Sequence, residues 1–188
     1  MEKSTKLDKY RTWKTELKIE KYLQRNEMIK QNRYWTQLRC GSSELRVETM
    51  RYGRDRRERQ DRQCVMCASG GVEDEEHLLF DCTAYTNMRN KMIDEVERKT
   101  MGQIQLRDEN KEVSRRQRMN WMMNGEREEV RKETRQYIQK ALITRMQLTK
   151  ESEKRQNMEN AETKKRTNEM KKRAKQETLR QHEQKNND

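Results

Sequence analysis

The sequence predicts a mainly α-helical fold: amphipathic helices around a small cysteine–histidine knuckle, followed by a charged C-terminal tail that is helical or disordered. Three observations predict it. The 188 residues contain no proline and only six glycines, so little interrupts a helix. Apolar residues recur at three- and four-residue spacing through much of the chain. Finally, Cys64, Cys67, His77 and Cys82 fall inside nineteen residues, a spacing that suits one tetrahedral metal ion.

The elements follow in order. In segment 1–40, Tyr10, Trp13 and Leu17 fall at i, i+3, i+7, followed by Ile19, Tyr22, Leu23, Met28 and Ile29. This predicts one or two amphipathic helices, continued by Tyr34, Trp35 and Leu38 to a stop at Gly41. In segment 41–63, Ser42-Ser43-Glu44-Leu45 offers a serine N-cap for a short helix or turn, and an arginine-rich loop without apolar period follows. Segment 64–98 holds the knuckle and a helix with Tyr85, Met88, Met92, Ile93 and Val96 on one stripe, capped by Thr83. Gly102 interrupts. Segment 103–148 then reads as a helical pair: Val113, Met119, Trp121, Met122 and Met123 precede a C-cap at Asn124-Gly125, and Val130, Tyr137, Ile138, Ala141, Leu142, Ile143 and Met146 mark the second helix. In the tail, 149–188, apolar residues thin to Met158, Ala161, Met170, Ala174 and Leu179, and pairs such as Glu151/Arg155, Glu162/Arg166 and Glu169/Arg173 support a solvated helix weakly.

Composition limits what these elements can do. Hydrophobic residues make up 29% and charged residues 41%, against nearly half and about a quarter in an ordinary domain. The expectation is a few small ordered pieces joined to solvated segments rather than one globule. No stretch approaches the roughly 20 apolar residues a bilayer needs, so no membrane span is expected. Met1 to Glu20 has no continuous apolar stretch, so no secretory leader is expected either. The net charge is +12, which favours an anionic polymer as partner. Residues 1–40 hold eleven Lys/Arg against five Asp/Glu, and the tail twelve against eight. The stretch 51–62 is distinctive: Arg51, Arg54, Arg56, Arg57, Arg59 and Arg62 are all arginine and lead directly into the cysteines. Arginine presents a planar fork that matches phosphate, which lysine does not.

Spacing says more about the cysteines than their number. Four occur, but Cys40 stands alone before Gly41 and reads as a small buried residue. Cys64-x2-Cys67-x9-His77-x4-Cys82 supplies three thiolates and one imidazole, the donor set of a closed structural Zn2+ site. Cys64-Val65-Met66-Cys67 predicts a tight turn whose N–H groups point at sulfur, and Ala68-Ser69-Gly70-Gly71 permits the positive φ that reverses the chain. Glu73-Asp74-Glu75-Glu76 suits the first turn of a helix. One geometric condition remains. His77 and Cys82 are five residues apart, about 140° around an ideal α-helix, so both reach one ion only if the helix ends near Phe80-Asp81 or Cys82 sits on the next turn.

The stretch Leu38-Arg39-Cys40-Gly41-Ser42-Ser43-Glu44-Leu45-Arg46-Val47-Glu48 with Arg51-Tyr52 resembles the segment before the C-terminal knuckle of non-LTR (LINE-type) retrotransposon reverse transcriptases. Cys64-Val65-Met66-Cys67, the run Val72-Glu73-Asp74-Glu75-Glu76-His77-Leu78-Leu79-Phe80-Asp81-Cys82, and Ala84-Tyr85 with Arg89 are similar to the knuckle itself. The resemblance covers roughly residues 22–96 and is looser from Trp121 to Arg145, with Thr83 where the family often has proline. It implies zinc on Cys64, Cys67, His77 and Cys82 and a grip on element RNA or target DNA. It does not imply catalysis, since the metal-binding aspartates of a polymerase are missing. It makes the chain look like a C-terminal remnant or stand-alone derivative of a larger polyprotein.

The expected function is therefore a zinc-dependent module that binds RNA, DNA or both, and not an enzyme. Arg51, Arg54, Arg56, Arg57, Arg59 and Arg62 contact phosphates, and Tyr52 or Tyr85 stacks on an unpaired base. A Cys3His site with Zn2+ carries a formal charge of about −1, so the ion serves to fold the segment rather than to attract phosphate. The alternative is a zinc-stapled module whose amphipathic helices bind a partner protein. A nuclease using Glu73 to Glu76 and Asp81 is disfavoured, because consecutive acids on a helix face different ways. Lys164-Lys165-Arg166 and Lys171-Lys172-Arg173, with the resemblance, point to the nucleus, with the cytoplasm as the alternative.

Overall fold

The computed structural model describes residues 8–14, 19, 29–107 and 113–185. The described residues are mainly helical and include no β-strand. In order they form α1 (Asp8–Trp13), α2 (Ile29–Arg39), α3 (Arg46–Thr49), a 3₁₀ turn at Arg59–Asp61, a π-turn at His77–Asp81, a second 3₁₀ turn at Thr83–Tyr85, α4 (Thr86–Lys99), α5 (Arg115–Met123) and α6 (Glu128–Lys185). The chain divides into two compact units, Met1–Thr144 and Arg145–Asp188.

Among the described residues the first unit has a single buried cluster, despite the low apolar content. Trp35 and Leu38 from α2 meet Leu78 and Leu79 from the π-turn, Met92 and Val96 from α4, Met119, Met122 and Met123 from α5, and Tyr137, Ile138 and Leu142 from α6. Arginine supplies what the composition withholds: Arg39, Arg89, Arg118, Arg131 and Arg135 are all less than a tenth exposed. Their aliphatic stems add packing area and their heads satisfy irregular backbone. Arg118 donates to the carbonyls of Arg107 and Val113, Arg131 to Gly125, and Arg135 to Asn32 Oδ1 at 2.7 Å. The Arg39 guanidinium lies between two rings, 4.5 Å from Trp35 and 5.3 Å from Tyr10. The Tyr, Trp and Met faces of these helices thus pack on one another.

Several helix ends follow the sequence signals and others do not. α2 stops as expected: Gly41 takes φ +61°, and the Ser42 N–H returns to Gln37 C=O at 2.9 Å. Asn124-Gly125 ends α5, with Gly125 at φ +76° and a Cβ there only 2.9 Å from the Trp35 ring. The expected serine cap at 42–43 is absent from α3. Its N-cap position is Leu45, and Glu73 supplies the acceptors instead. Thr83 does not cap α4 either, since it opens the 3₁₀ turn Thr83–Tyr85 that precedes the helix, and no side chain caps the helix. Ile19 is 67% exposed rather than part of a buried stripe, while Leu17, Tyr22, Leu23 and Met28 lie outside the described residues. In the second unit every described side chain from 150 to 173 is exposed, with ion pairs Glu162–Arg166 at 2.8 Å and Glu151–Arg155 at 4.0 Å. No helix among the described residues is long and apolar enough to cross a membrane.

Candidate metal centre

Cys64, Cys67, His77 and Cys82 converge, with their ligand atoms all within 4.8 Å of one another. Cys64 Sγ lies 3.8 Å from Cys82 Sγ, and Cys67 Sγ lies 3.3 Å from His77 Nε2. Zinc bonds of about 2.3 Å to sulfur and 2.0 Å to nitrogen place neighbouring ligands of a tetrahedron roughly 3.5–3.8 Å apart. Both pairs match that edge within a few tenths of an ångström, so the group could hold one metal ion if its more widely spaced ligands close by up to about 1 Å.

Two backbone devices build the site. The first is a hairpin: Gln63 and Val72 form an isolated antiparallel bridge, and Cys64 N–H donates to Gly71 C=O at 2.8 Å. Within its tip, Met66 N–H points at Cys64 Sγ at 3.3 Å, the N–H···S contact expected of this turn. Gly70 supplies the positive φ, +71°. Gly71 serves differently: a Cβ there would lie 3.1 Å from His77 Nδ1, so its bare backbone makes room for the imidazole.

The second device answers the angular condition set by His77 and Cys82. Residues His77–Asp81 form a π-turn, closed by the Cys82 N–H donating to His77 C=O at 2.8 Å. An i→i+5 bond lets one turn take up the extra residue, so two side chains five apart face the same way. A π-turn is a rare choice, and neighbouring side chains hold this one at both ends. Asp74 Oδ1 accepts from His77 N–H at 2.9 Å at its start. At its end Tyr137 O–H donates to Leu78 C=O at 2.5 Å and Arg89 donates to Cys82 C=O at 3.0 Å. Burial pushes the Tyr137 hydroxyl well above its ordinary range, which keeps it a neutral donor.

The thiols are unequal. Partial burial pushes Cys67 upward, but the Ser69 hydroxyl and N–H and the His77 ring outweigh it and bring the thiol down to about 6. Burial raises Cys64, and burial with the neighbouring Cys64 pushes Cys82 up to about 12. Three sulfurs this close do not all ionise without a cation among them, and a bound ion would offset that cost.

The surrounding acids have other partners. Glu73 is 2% exposed and its Oε2 accepts from Arg46 N–H at 2.9 Å. Asp74 also pairs with Arg59 at 2.5 Å, Asp81 pairs with Arg115 at 2.5 Å, and Glu76 lies 3.5 Å from Arg115. Glu75 is buried. Among the described residues no carboxylate group gathers as these four ligands do.

The six arginines of the loop divide into three kinds. Arg62 is part of the framework, donating to Val47 C=O at 2.8 Å and through two nitrogens to Arg57 C=O. Arg59 pairs with Asp74, and Arg51 with Glu48 at 3.5 Å while lying 5.7 Å from the Tyr52 ring. Arg54, Arg56 and Arg57 are exposed, and among the described residues their side chains make no hydrogen bond or ion pair. Tyr52 is 62% exposed, whereas Tyr85 is 2% exposed and belongs to the core. Cys40 lies outside the metal group and is half-buried rather than buried, because it follows the last turn of α2.

Comparison with known protein families, curated proteins and solved structures finds no match. Reasoning from sequence missed Glu73, Arg62 and Tyr137 as supports. Asp74, three residues before His77, carried an N-cap signal that could have been read; nothing in the local sequence marks Tyr137, which is 59 residues from its partner.

Proposed function

We propose that the chain is a zinc-dependent nucleic-acid-binding module, in which Cys64, Cys67, His77 and Cys82 hold one Zn2+ and Arg54, Arg56 and Arg57 contact the phosphates of RNA or DNA. The observation that carries this reading is the pairing of a convergent Cys3His set with three exposed arginines, on the loop that leads into it, whose side chains make no hydrogen bond or ion pair among the described residues. A bound Zn2+ would supply the charge that lets three thiolates coexist. The chain's own residues do the rest: Arg62 fixes the loop, Arg51 and Arg59 complete the basic surface at its ends, and exposed Tyr52 offers a ring for stacking. The resemblance to the C-terminal knuckle of non-LTR retrotransposon reverse transcriptases supports the same assignment, as does the net charge of +12. Binding rather than catalysis is favoured because Glu73, Asp74, Glu76 and Asp81 each serve a structural contact. The exposed clusters Lys164-Lys165-Arg166 and Lys171-Lys172-Arg173 fit residence in the nucleus.

Fluorescence anisotropy of the zinc-loaded chain with labelled RNA and DNA across a salt series tests this. Three phosphate contacts contribute about 2 to 3 to the slope of log K against log salt. Replacing Arg54, Arg56 and Arg57 together by Ala is expected to flatten the slope by that amount and leave the zinc content unchanged. Equal affinity and slope in the triple variant would overturn the assignment.

A further inference from the structure

We propose that Glu73 is the positioning residue that couples the metal-binding hairpin to the arginine loop, so that metal binding and polyanion binding strengthen each other. The inference rests on the nucleic-acid reading above and adds its regulation.

The loop has almost no apolar anchorage of its own, since no residue from 48 to 63 is buried. Its shape comes from a closed circuit of hydrogen bonds, and Glu73 stands where the circuit meets the knuckle. Glu73 N–H donates to Arg62 C=O at 2.8 Å, next to the Gln63–Val72 bridge that leads to Cys64. Glu73 C=O accepts from Val47 N–H at 3.1 Å, and its Oε2 accepts from Arg46 N–H at 2.9 Å. One residue therefore ties the start of the loop, at Arg46 and Val47, to its end at Arg62. Arg62 then reaches back to Val47 C=O and holds Arg57 C=O, while Arg57 N–H donates to Met50 C=O at 3.0 Å. The exposed Arg56 and Arg57 sit inside this circuit.

The consequence is thermodynamic. Without a cation nothing ties the four ligand side chains to a common centre, so the hairpin that carries Glu73 opens more readily and both ends of the loop lose their tether with it. A polyanion that selects the ordered loop must then favour the closed hairpin, and by linkage must raise its affinity for the metal by the factor that the metal raises affinity for the polyanion. Burial of the Glu73 carboxylate at 2% exposure makes the tether stiff rather than exchangeable with water.

The test measures zinc affinity of the full chain by chelator competition, with and without saturating poly(U) RNA of about 20 nucleotides. The expected result is a five- to tenfold tightening of zinc by poly(U), within the ordinary range of such couplings. In Glu73→Ala the tightening is expected to fall below about twofold. Arg62→Gln cuts the circuit on its half-exposed side without touching the hairpin, and is expected to act alike should Glu73→Ala fail to fold. A residue of merely structural importance would weaken both ligands and leave their mutual factor intact. Poly(U) bound by the wild-type chain with no change in zinc affinity would overturn the coupling alone. No poly(U) binding by the zinc-loaded chain would overturn the nucleic-acid reading and the coupling together.

Discussion

Residues 46–82 and the helices on either side of them are held together by different physics. The helical part of the first unit draws on burial: Trp35, Leu38, Val96, Met122, Met123 and Ile138 are at most 1% exposed. Each contributes on the order of 2 kcal/mol by leaving water. The knuckle and its loop have only Val47, Leu78 and Leu79 fully buried besides two of the cysteines, with Met66 and Phe80 partly buried against the core. What they have instead is a series of single hydrogen bonds to irregular backbone and a ligand set for one ion. A segment this poor in apolar area folds when the ion's binding free energy replaces the missing core. The comparison teaches that burial holds the helices on both sides of segment 46–82, whereas that segment leans on single hydrogen bonds and on a ligand set that could hold an ion.

Removing the ion breaks the comparison most strongly. A tight chelator, or Cys67→Ser, is expected to abolish hydrogen-exchange protection between residues 50 and 76 while α5 and the first part of α6 keep theirs. Structural zinc is worth on the order of 10 kcal/mol to small metal-folded segments. The converse experiment breaks the other side. Trp35→Ala removes the ring at the centre of the helices, together with its Nε1 donation to Met122 C=O at 3.2 Å. A loss of about 3–5 kcal/mol in urea unfolding is expected, with one zinc per chain retained.

Smaller changes sharpen the contrast within the knuckle itself. Gly71→Ala pushes a methyl to 3.1 Å from His77 Nδ1 without demanding an unusual φ, and is expected to weaken metal binding about 10- to 100-fold. Gly70→Ala meets nothing within 4 Å but forces alanine to φ +71°, so its cost of about 1 kcal/mol should appear in stability rather than in metal affinity. Tyr137→Phe leaves the Leu78 carbonyl without its buried donor and is expected to cost about 1–2 kcal/mol. Its pH dependence has a definite sign. The folded state holds the Tyr137 proton above the ordinary tyrosine range, so above about pH 10 the unfolded chain releases it first and stability falls. Tyr137→Phe should lose less stability over that interval than the wild type. The smallest effect belongs to the second unit, where Glu162→Ala removes an exposed i, i+4 pair and should change helicity by no more than about 0.5 kcal/mol.

The two regions were also unequally legible in sequence. Helices α2, α4 and α5 stand where apolar spacing and Gly41, Gly102 and Asn124-Gly125 put their bodies and ends, because period and glycine act locally. The ligand set was legible for the same reason: a Cys-x2-Cys turn and a nearby His and Cys are short-range facts. The single core was not, because composition counts arginine as charge, whereas Arg39, Arg89, Arg118, Arg131 and Arg135 pack as stems. The π-turn answered a conflict visible in the spacing of His77 and Cys82, but its supports come from Arg89 and Tyr137, which no local pattern links to it. The capping of α3 by Glu73 rather than by Ser42 or Ser43 likewise needs a contact across 27 residues. Of the six loop arginines, sequence could not separate the framework residue Arg62 from the exposed Arg54, Arg56 and Arg57, since the difference lies in which carbonyls come within reach.

Cobalt titration of the metal-free full chain tests the central claim most directly, because Co2+ takes the same tetrahedral set and absorbs visibly when three thiolates bind it. The account predicts saturation at one equivalent with a tetrahedral thiolate spectrum, bleached by zinc, and no such spectrum in Cys82→Ser. A chain that binds no cobalt tetrahedrally, or a Cys82→Ser variant whose spectrum and stoichiometry match the wild type, would contradict it.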